Sequence, residues 1–448
     1  MFLKIFVNAW RVQDIRKKLL FIFLLLLIYR FGSAIPLPGI DLETLVDFRY
    51  GTGMAWDTVT TLFTMIAGGG PGSLFAMGIA PYITASIIMQ LLTYAIPQLS
   101  EMQKEGEDGR KKIAQITRYM AVVLAALQGG ATVFSYTNMH GMGMNLFRYQ
   151  NMLVYTVATL AMVTGTIFIM WLAELLTEKG IGNGASFLIF ANILSQIPVG
   201  AMLLLNMVTG GDGGVFSGIA WLVVLLVVFA LIIAFVVAVH EGERRIPVQY
   251  SKKAAGGRSM FGNQSSYIPL KVNIAGVLSI IFAVSLLQFP IQIAQFIPRP
   301  PDVEPGRIMR IFGPTGVLQI SGPNAHWIGI LVYVILIFVF THFYTSFAVN
   351  PVEMAENMKK NGGFIPGIRP GKPTSDFIKV TVGRLSWIGS VFYSLIALTP
   401  IILELLTPVP AGVGFGGTTL LIVIGVALEF IKQLESQLLM RHYKGFLN

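Results

Sequence analysis

His240-Glu241 opens like the helical His-Glu-x-x-His of zinc hydrolases, where two histidines one turn apart hold the metal. Position 244 is Arg, so the second ligand is missing. Ser186 sits in Gly182-Asn183-Gly184-Ala185-Ser186 without a partnered histidine, and the glycines read as a turn entering a helix. Gly68-Gly69-Gly70-Pro71-Gly72 lacks the Lys-Ser/Thr that completes a phosphate-binding loop. The chain has no cysteine, which removes thiol catalysis, disulfides and cysteine metal sites. No catalytic constellation survives, and neither a cofactor nor a metal is expected. The chemistry must lie in what the chain lets through or holds.

One helical face carries that chemistry. In Gly78–Gln90, residues Ile79, Ile83, Ser86 and Gln90 recur at helical spacing. Two bulky aliphatics lie toward a glycine break and two uncharged polar groups lie toward the other end. Such a face suits a wet vestibule closing to an apolar constriction that blocks ions by dewetting. It equally suits plain packing against another span.

Ahead of the break, Asp57 is a candidate N-cap for a short helix over 58–66. Val59, Leu62, Phe63 and Ile66 form its apolar stripe, and Thr58 and three further threonines fill other positions. Nine residues at ~1.5 Å each reach about halfway through a ~30 Å hydrocarbon core. Two readings fit: a half-helix over a protein-lined cavity, or an amphipathic helix lying on the membrane surface.

The elements that position these residues are membrane spans. With 54% hydrophobic and 12% charged residues, the chain reads as an all-α polytopic membrane protein. Ten apolar runs of spanning length lie at about 19–37, 74–96, 114–136, 151–173, 185–206, 217–239, 273–297, 325–348, 384–403 and 414–431. The first follows a basic stretch but lacks a small-residue cleavage pattern before Pro36 and Pro38, so it reads as a retained span.

Charge sets the expected orientation. Of the 32 basic residues, all but Arg30, Arg49, Arg148, Arg299, Arg307 and Arg310 fall at the termini or in alternate loops. The positive-inside rule then makes both termini cytoplasmic. Loop 240–272 carries Arg244, Arg245 and Arg258, and loop 349–381 carries Arg369 between glycines and prolines. Long basic loops fit docking of an acidic partner such as RNA or a protein; lipid headgroups are the alternative.

Five spans per half is an odd number, so the second half, 217–448, enters the membrane inverted relative to the first, 1–206. The connection at 207–216 is expected to be an external, glycine-rich hinge. Carboxylates are missing from mid-span, which argues against a proton- or sodium-coupled transporter. Only Arg30 and His342 lie well inside a span. Arg30 is expected to tie the first span to a neighbour or snorkel outward, and His342 to be a satisfied polar contact.

At this point the residues resemble a family. Phe75–Leu92, Glu178–Gly184, Pro269–Asn273, Phe364–Gly371 and Gly416–Val423 are similar, in order, to stretches of bacterial SecY, the channel family of the general secretory translocon. Relatives often carry proline where this chain has Ser279, and loop 298–324 matches poorly and is assigned no role.

The resemblance implies an hourglass channel. Unfolded secretory polypeptides would pass across the cytoplasmic membrane through it, and signal sequences and membrane helices would leave sideways into lipid. It makes the helix at 58–66 a plug. It makes Ile79, Ile83, Ile189, Ile281 and Ile422 a sealing ring, and the second and third spans facing the seventh and eighth a lateral gate. It implies docking of the motor ATPase SecA or the ribosome on Arg244, Arg245, Arg258 and Arg369. SecE and SecG would be membrane partners. The competing reading is a facilitative transporter for a small neutral solute, which would need convergent polar groups where the ring offers aliphatics.

Overall fold

The computed structural model describes residues 9–41, 44, 70, 72–138, 146–210, 214–250, 266–295, 327–406 and 417–444. The short helix at 58–66, Arg258 and loop 298–324 lie outside the described residues. In chain order the elements are α1 (Gln13–Ala34), α2 (Ala80–Ala95), α3 (Pro97–Lys104), α4 (Glu107–Asn138), α5 (Met152–Lys179), α6 (Gly184–Gly210) and α7 (Gly214–Glu241). There follow β1 (Glu243–Tyr250), β2 (Ser266–Lys271), α8 (Leu278–Gln295), α9 (Trp327–Ala348), α10 (Pro351–Lys360), β3 (Gly363–Phe364), α11 (Lys372–Leu406) and α12 (Gly417–Lys444).

Each of the ten apolar runs overlaps a helix. Among the described residues, five helices are long and apolar enough to cross a membrane, or six if the bent pair α2–α3 counts as one. α7 shows what kind of solvent the fold expects. Val223, Val224, Leu226, Val227, Leu231, Ile233 and Phe235 are all exposed along it. A contiguous apolar surface of that size is unstable in water and at home in lipid.

Helices up to Gly210 meet helices from Gly214 onward along two seams. α6 contacts α7 and α12 on one side, and α8 contacts α2 and α4 on another. At the second seam the rings of Tyr94 (α2) and Phe343 (α9) meet edge to face with centroids 5.6 Å apart. α6 runs to Gly210 and α7 begins at Gly214, so helix occupies part of the stretch expected as hinge.

The second span departs from expectation. Its run starts at about 74, but the helix starts only at Ala80; residues 73–80 wind through successive turns closed by Ala76 N–H to Ser73, Gly78 N–H to Phe75 and Ala80 N–H to Met77. This segment nests between α1 and α5 because two glycines make room. A Cβ on Gly32 would intrude on the Phe75 ring, and one on Gly165 would overlap the Leu74 carbonyl. Phe75 fills the space, stacked on Tyr29 at 6.0 Å and on Phe168 at 5.9 Å. At its other end α2 bends by 100° into α3. Ile96 is extended at the junction and Pro97 starts α3, since a proline disfavours helical backbone in the residue before it.

The all-α expectation needs one correction: loops 240–272 and 349–381 build a three-stranded antiparallel sheet in the order β2-β1-β3. The pairs run from Glu243 opposite Lys271 to Val248 opposite Ser266, and Gln249 and Tyr250 pair with Phe364 and Gly363. Hydrogen-bonded and non-bonded pairs alternate along such a ladder. The bond from Val272 N–H to Gly242 O (2.9 Å) puts the even-numbered residues of β1 in the bonded set. Pro247 and Pro269, which have no N–H to donate, both fall in the other set. Ile246, Val248 and Leu270 point inward against Met358 of α10 and Ile378, Val382 and Leu385 of α11. α10 itself is fixed at its start by Asn350, whose side chain accepts from Glu353 N–H.

Candidate functional site

Ile79, Ile189, Ile281 and Ile422 are each less than a tenth exposed and belong to one hydrophobic cluster, with Ile83 packed against it. They come from five places in the chain: the turn before α2, α2, α6, α8 and α12. Ile79 stands just outside the helix, but its carbonyl accepts from Ile83 N–H at 3.1 Å, which keeps the pair in helical register. The cluster also holds Phe75, so the turn segment after the glycine break reaches the same aliphatic centre.

Ser86 and Gln90 continue the α2 face and line a cavity of about 220 Å³. Thr93 of α2, Gln103 of α3, Arg110 and Thr117 of α4 and Phe347 of α9 share its walls. Gln90 Oε1 is buried and has no hydrogen-bond partner among the described residues. One face of α2 therefore passes from aliphatic to polar within about three turns.

The basic residues are displayed on the sheet and the turn after it. Arg244 and Arg245 are both exposed, and strand alternation sends them to opposite faces. Arg245 donates to Glu243 Oε1 at 2.7 Å and lies over the Tyr267 ring at 4.8 Å. The hydrogen bond to Glu243, reinforced by Tyr267, holds its pKa above the ordinary arginine value. Arg369 is exposed, and its carbonyl accepts from Thr374 Oγ1 at 2.9 Å. Positive φ at Gly367 and Gly371 brackets it in a fixed turn.

Three features were not foreseen. Arg118 of α4 and Glu174 of α5 form an ion pair at 2.6 Å. His342 meets Phe338 O through Nδ1 at 3.0 Å, while its buried Nε2 has no hydrogen-bond partner among the described residues. His240, the abortive zinc motif, is a hydrogen-bond partner of Asn273 at 2.8 Å. Arg30 is exposed, as a snorkelling cation would be.

The SecY family model matches residues 73–431, from the turn segment to α12. The chain belongs to the SecY family. Among curated relatives, the protein translocase subunit SecY of Halalkalibacterium halodurans is 42% identical over 444 residues, covering 98% of each chain. The Bacillus subtilis protein of the same name is 41% identical over 451 residues, again covering 98% of each. That of Mycobacterium tuberculosis is 40% identical over 456 residues, covering 99% of this chain and all of the relative. Solved structures share the SecY fold at lower identity. "The structure of a protein conducting channel" superposes with a TM-score of 0.63 at 18% identity, covering 93% of this chain and 90% of the other. "Sec61 in the Canine ribosome-channel complex from the endoplasmic reticulum" does so with a TM-score of 0.60 at 17% identity, covering 93% and 90%. As a SecY family member with several spanning helices, the chain is a multi-pass membrane protein.

Proposed function

We propose that this chain is the central subunit of a protein-conducting channel. It would pass unfolded secretory polypeptides across the bacterial cytoplasmic membrane and release apolar helices sideways into lipid. The observation that carries the reading is the aliphatic cluster of Ile79, Ile83, Ile189, Ile281 and Ile422, with the polar cavity along the same α2 face. Aliphatic side chains offer no directional bonds, so they can close around any sequence and still exclude hydrated ions. A small-solute carrier needs convergent polar groups at that depth, and these five positions supply none.

On this reading all ten helices that cover the apolar runs span the membrane, in inverted halves 1–206 and 217–448 with the hinge at 207–216, and both termini are cytoplasmic. The helix at 58–66 is the plug that closes the external side of the ring. α2 and α4, facing α8 and α9 along the seam where α8 contacts them, form the lateral gate. Arg244, Arg245, Arg258 and Arg369 dock SecA or the ribosome. SecE and SecG are its membrane partners. Energy comes from the docked partner, so the chain works as a channel and not as an enzyme.

The test is reconstitution. Vesicles holding this chain with SecE and SecG should take up a preprotein when SecA and ATP are supplied. Absence of uptake, with the channel present and correctly inserted, would count against the reading.

A further inference from the structure

Both ends of the cytoplasmic sheet are tied to spans. Only Gly242 separates α7 from β1, whereas six residues, 272–277, separate β2 from α8. α7 and α8 thus hang from one sheet, and any swing of α8 relative to α7 must be absorbed in 272–277. That segment holds Gly276 at φ +63, a left-handed conformation that suits glycine.

Asn273 fastens the segment. It is buried, and its Oδ1 accepts from Gly276 N–H at 2.9 Å. With the carbonyl so used, its NH₂ faces Nδ1 of His240 at 2.8 Å and donates to it, which leaves the ring proton on Nε2. One side chain therefore joins the end of α7 to the backbone turn that starts α8. Neighbours close around it: a Cβ on Gly425 of α12 would meet Val277 at 2.9 Å and His240 at 3.9 Å. Beyond the joint, Ile281 lies in the aliphatic cluster, while Ala283 and Leu287 lie in a second cluster with Ile87 of α2.

We propose that 272–277 is the pivot on which α8 swings away from α2 and α4, and that Asn273, held by His240, is the positioning residue that sets its resting angle. The inference rests on the channel reading above and adds how the sheet, where a partner docks, governs the seam. Loss of a single net hydrogen bond corresponds to about a fivefold change in a two-state ratio, enough to alter how often the seam opens.

The absence of native cysteine makes a labelled pair unique. Nitroxides on Val123→Cys in α4 and Leu286→Cys in α8, both exposed positions, report the seam distance in the full complex in vesicles. Asn273→Leu and His240→Ala should each raise the open:closed ratio about fivefold without any docked partner, while ribosome affinity changes less than twofold. His240→Gln, whose carbonyl can accept from Asn273, should restore the resting distribution. Unchanged distances in both Asn273→Leu and His240→Ala would overturn the proposal. If Asn273→Leu fails to accumulate, the His240 pair decides, and equal behaviour of Ala and Gln overturns it. Failure of ribosomes to bind the parent complex would instead strike the channel reading, and the partner-free distances would still judge the joint.

Discussion

Gln249 of β1 pairs with Phe364 of β3, and through that pairing two loops more than a hundred residues apart in sequence share one support. Arg244, Arg245 and the Arg369 turn are therefore carried on one support, backed by α10 and the start of α11. A docking partner meets one body.

Reversing Arg369 to Glu should weaken SecA- or ribosome-dependent transport and leave channel abundance intact, because the side chain is exposed and its turn is held through its carbonyl, which accepts from Thr374 Oγ1. Lys379→Glu, also exposed but on the α11 shaft, is the control. Transport measured at matched channel amounts should fall several-fold for the first and little for the second.

Ile378 is fully buried beneath the sheet. Its replacement by Ala should cost about 2–5 kcal/mol of local stability, through lost burial and a cavity. Limited proteolysis should then cut loop 240–272 faster, while the resting ion conductance of the channel stays unchanged because the aliphatic cluster is elsewhere.

Gly165→Val places a branched side chain where the Leu74 carbonyl lies. The turn segment that leads to Ile79 must move, and ion leak through reconstituted channels should rise. Gly130→Ala, where a Cβ meets nothing within 4 Å, should leave conductance alone.

Deleting residues 58–66 should also raise ion leak, in bilayer recordings of the complex with no translocating chain. Unchanged conductance would favour a helix lying on the membrane surface.

The helices were legible from long apolar runs, since a span must satisfy its backbone internally and carry about 20 apolar residues. The start of α2 was not. Phe75 and Met77 are apolar enough to extend a span, and only the close approach allowed by Gly32 and Gly165 shows that they form turns. The sheet was hidden because β3 lies more than a hundred residues beyond β1, and the Ile-Pro-Val and Ile-Pro-Leu cores of β1 and β2 carry prolines that argue against strand. Arg118–Glu174 and His240–Asn273 bridge 56 and 33 residues, beyond any local spacing rule. Of the five isoleucines, periodicity reached only Ile79 and Ile83; Ile189, Ile281 and Ile422 came from family likeness, and the fold brings them into one cluster.

The most direct test of the channel reading is contact with a chain in transit. Single cysteines replace Ile79, Ile83, Ile189, Ile281 and Ile422 in turn, in a protein that has none of its own. A preprotein stalled midway carries one cysteine at a position scanned along its length. All five sites should form disulfides with the same short stretch of the stalled chain, and Leu226→Cys on the exposed face of α7 should form none. Adducts at Leu226→Cys equal to those at the five sites, or five sites that capture nothing, would contradict the account.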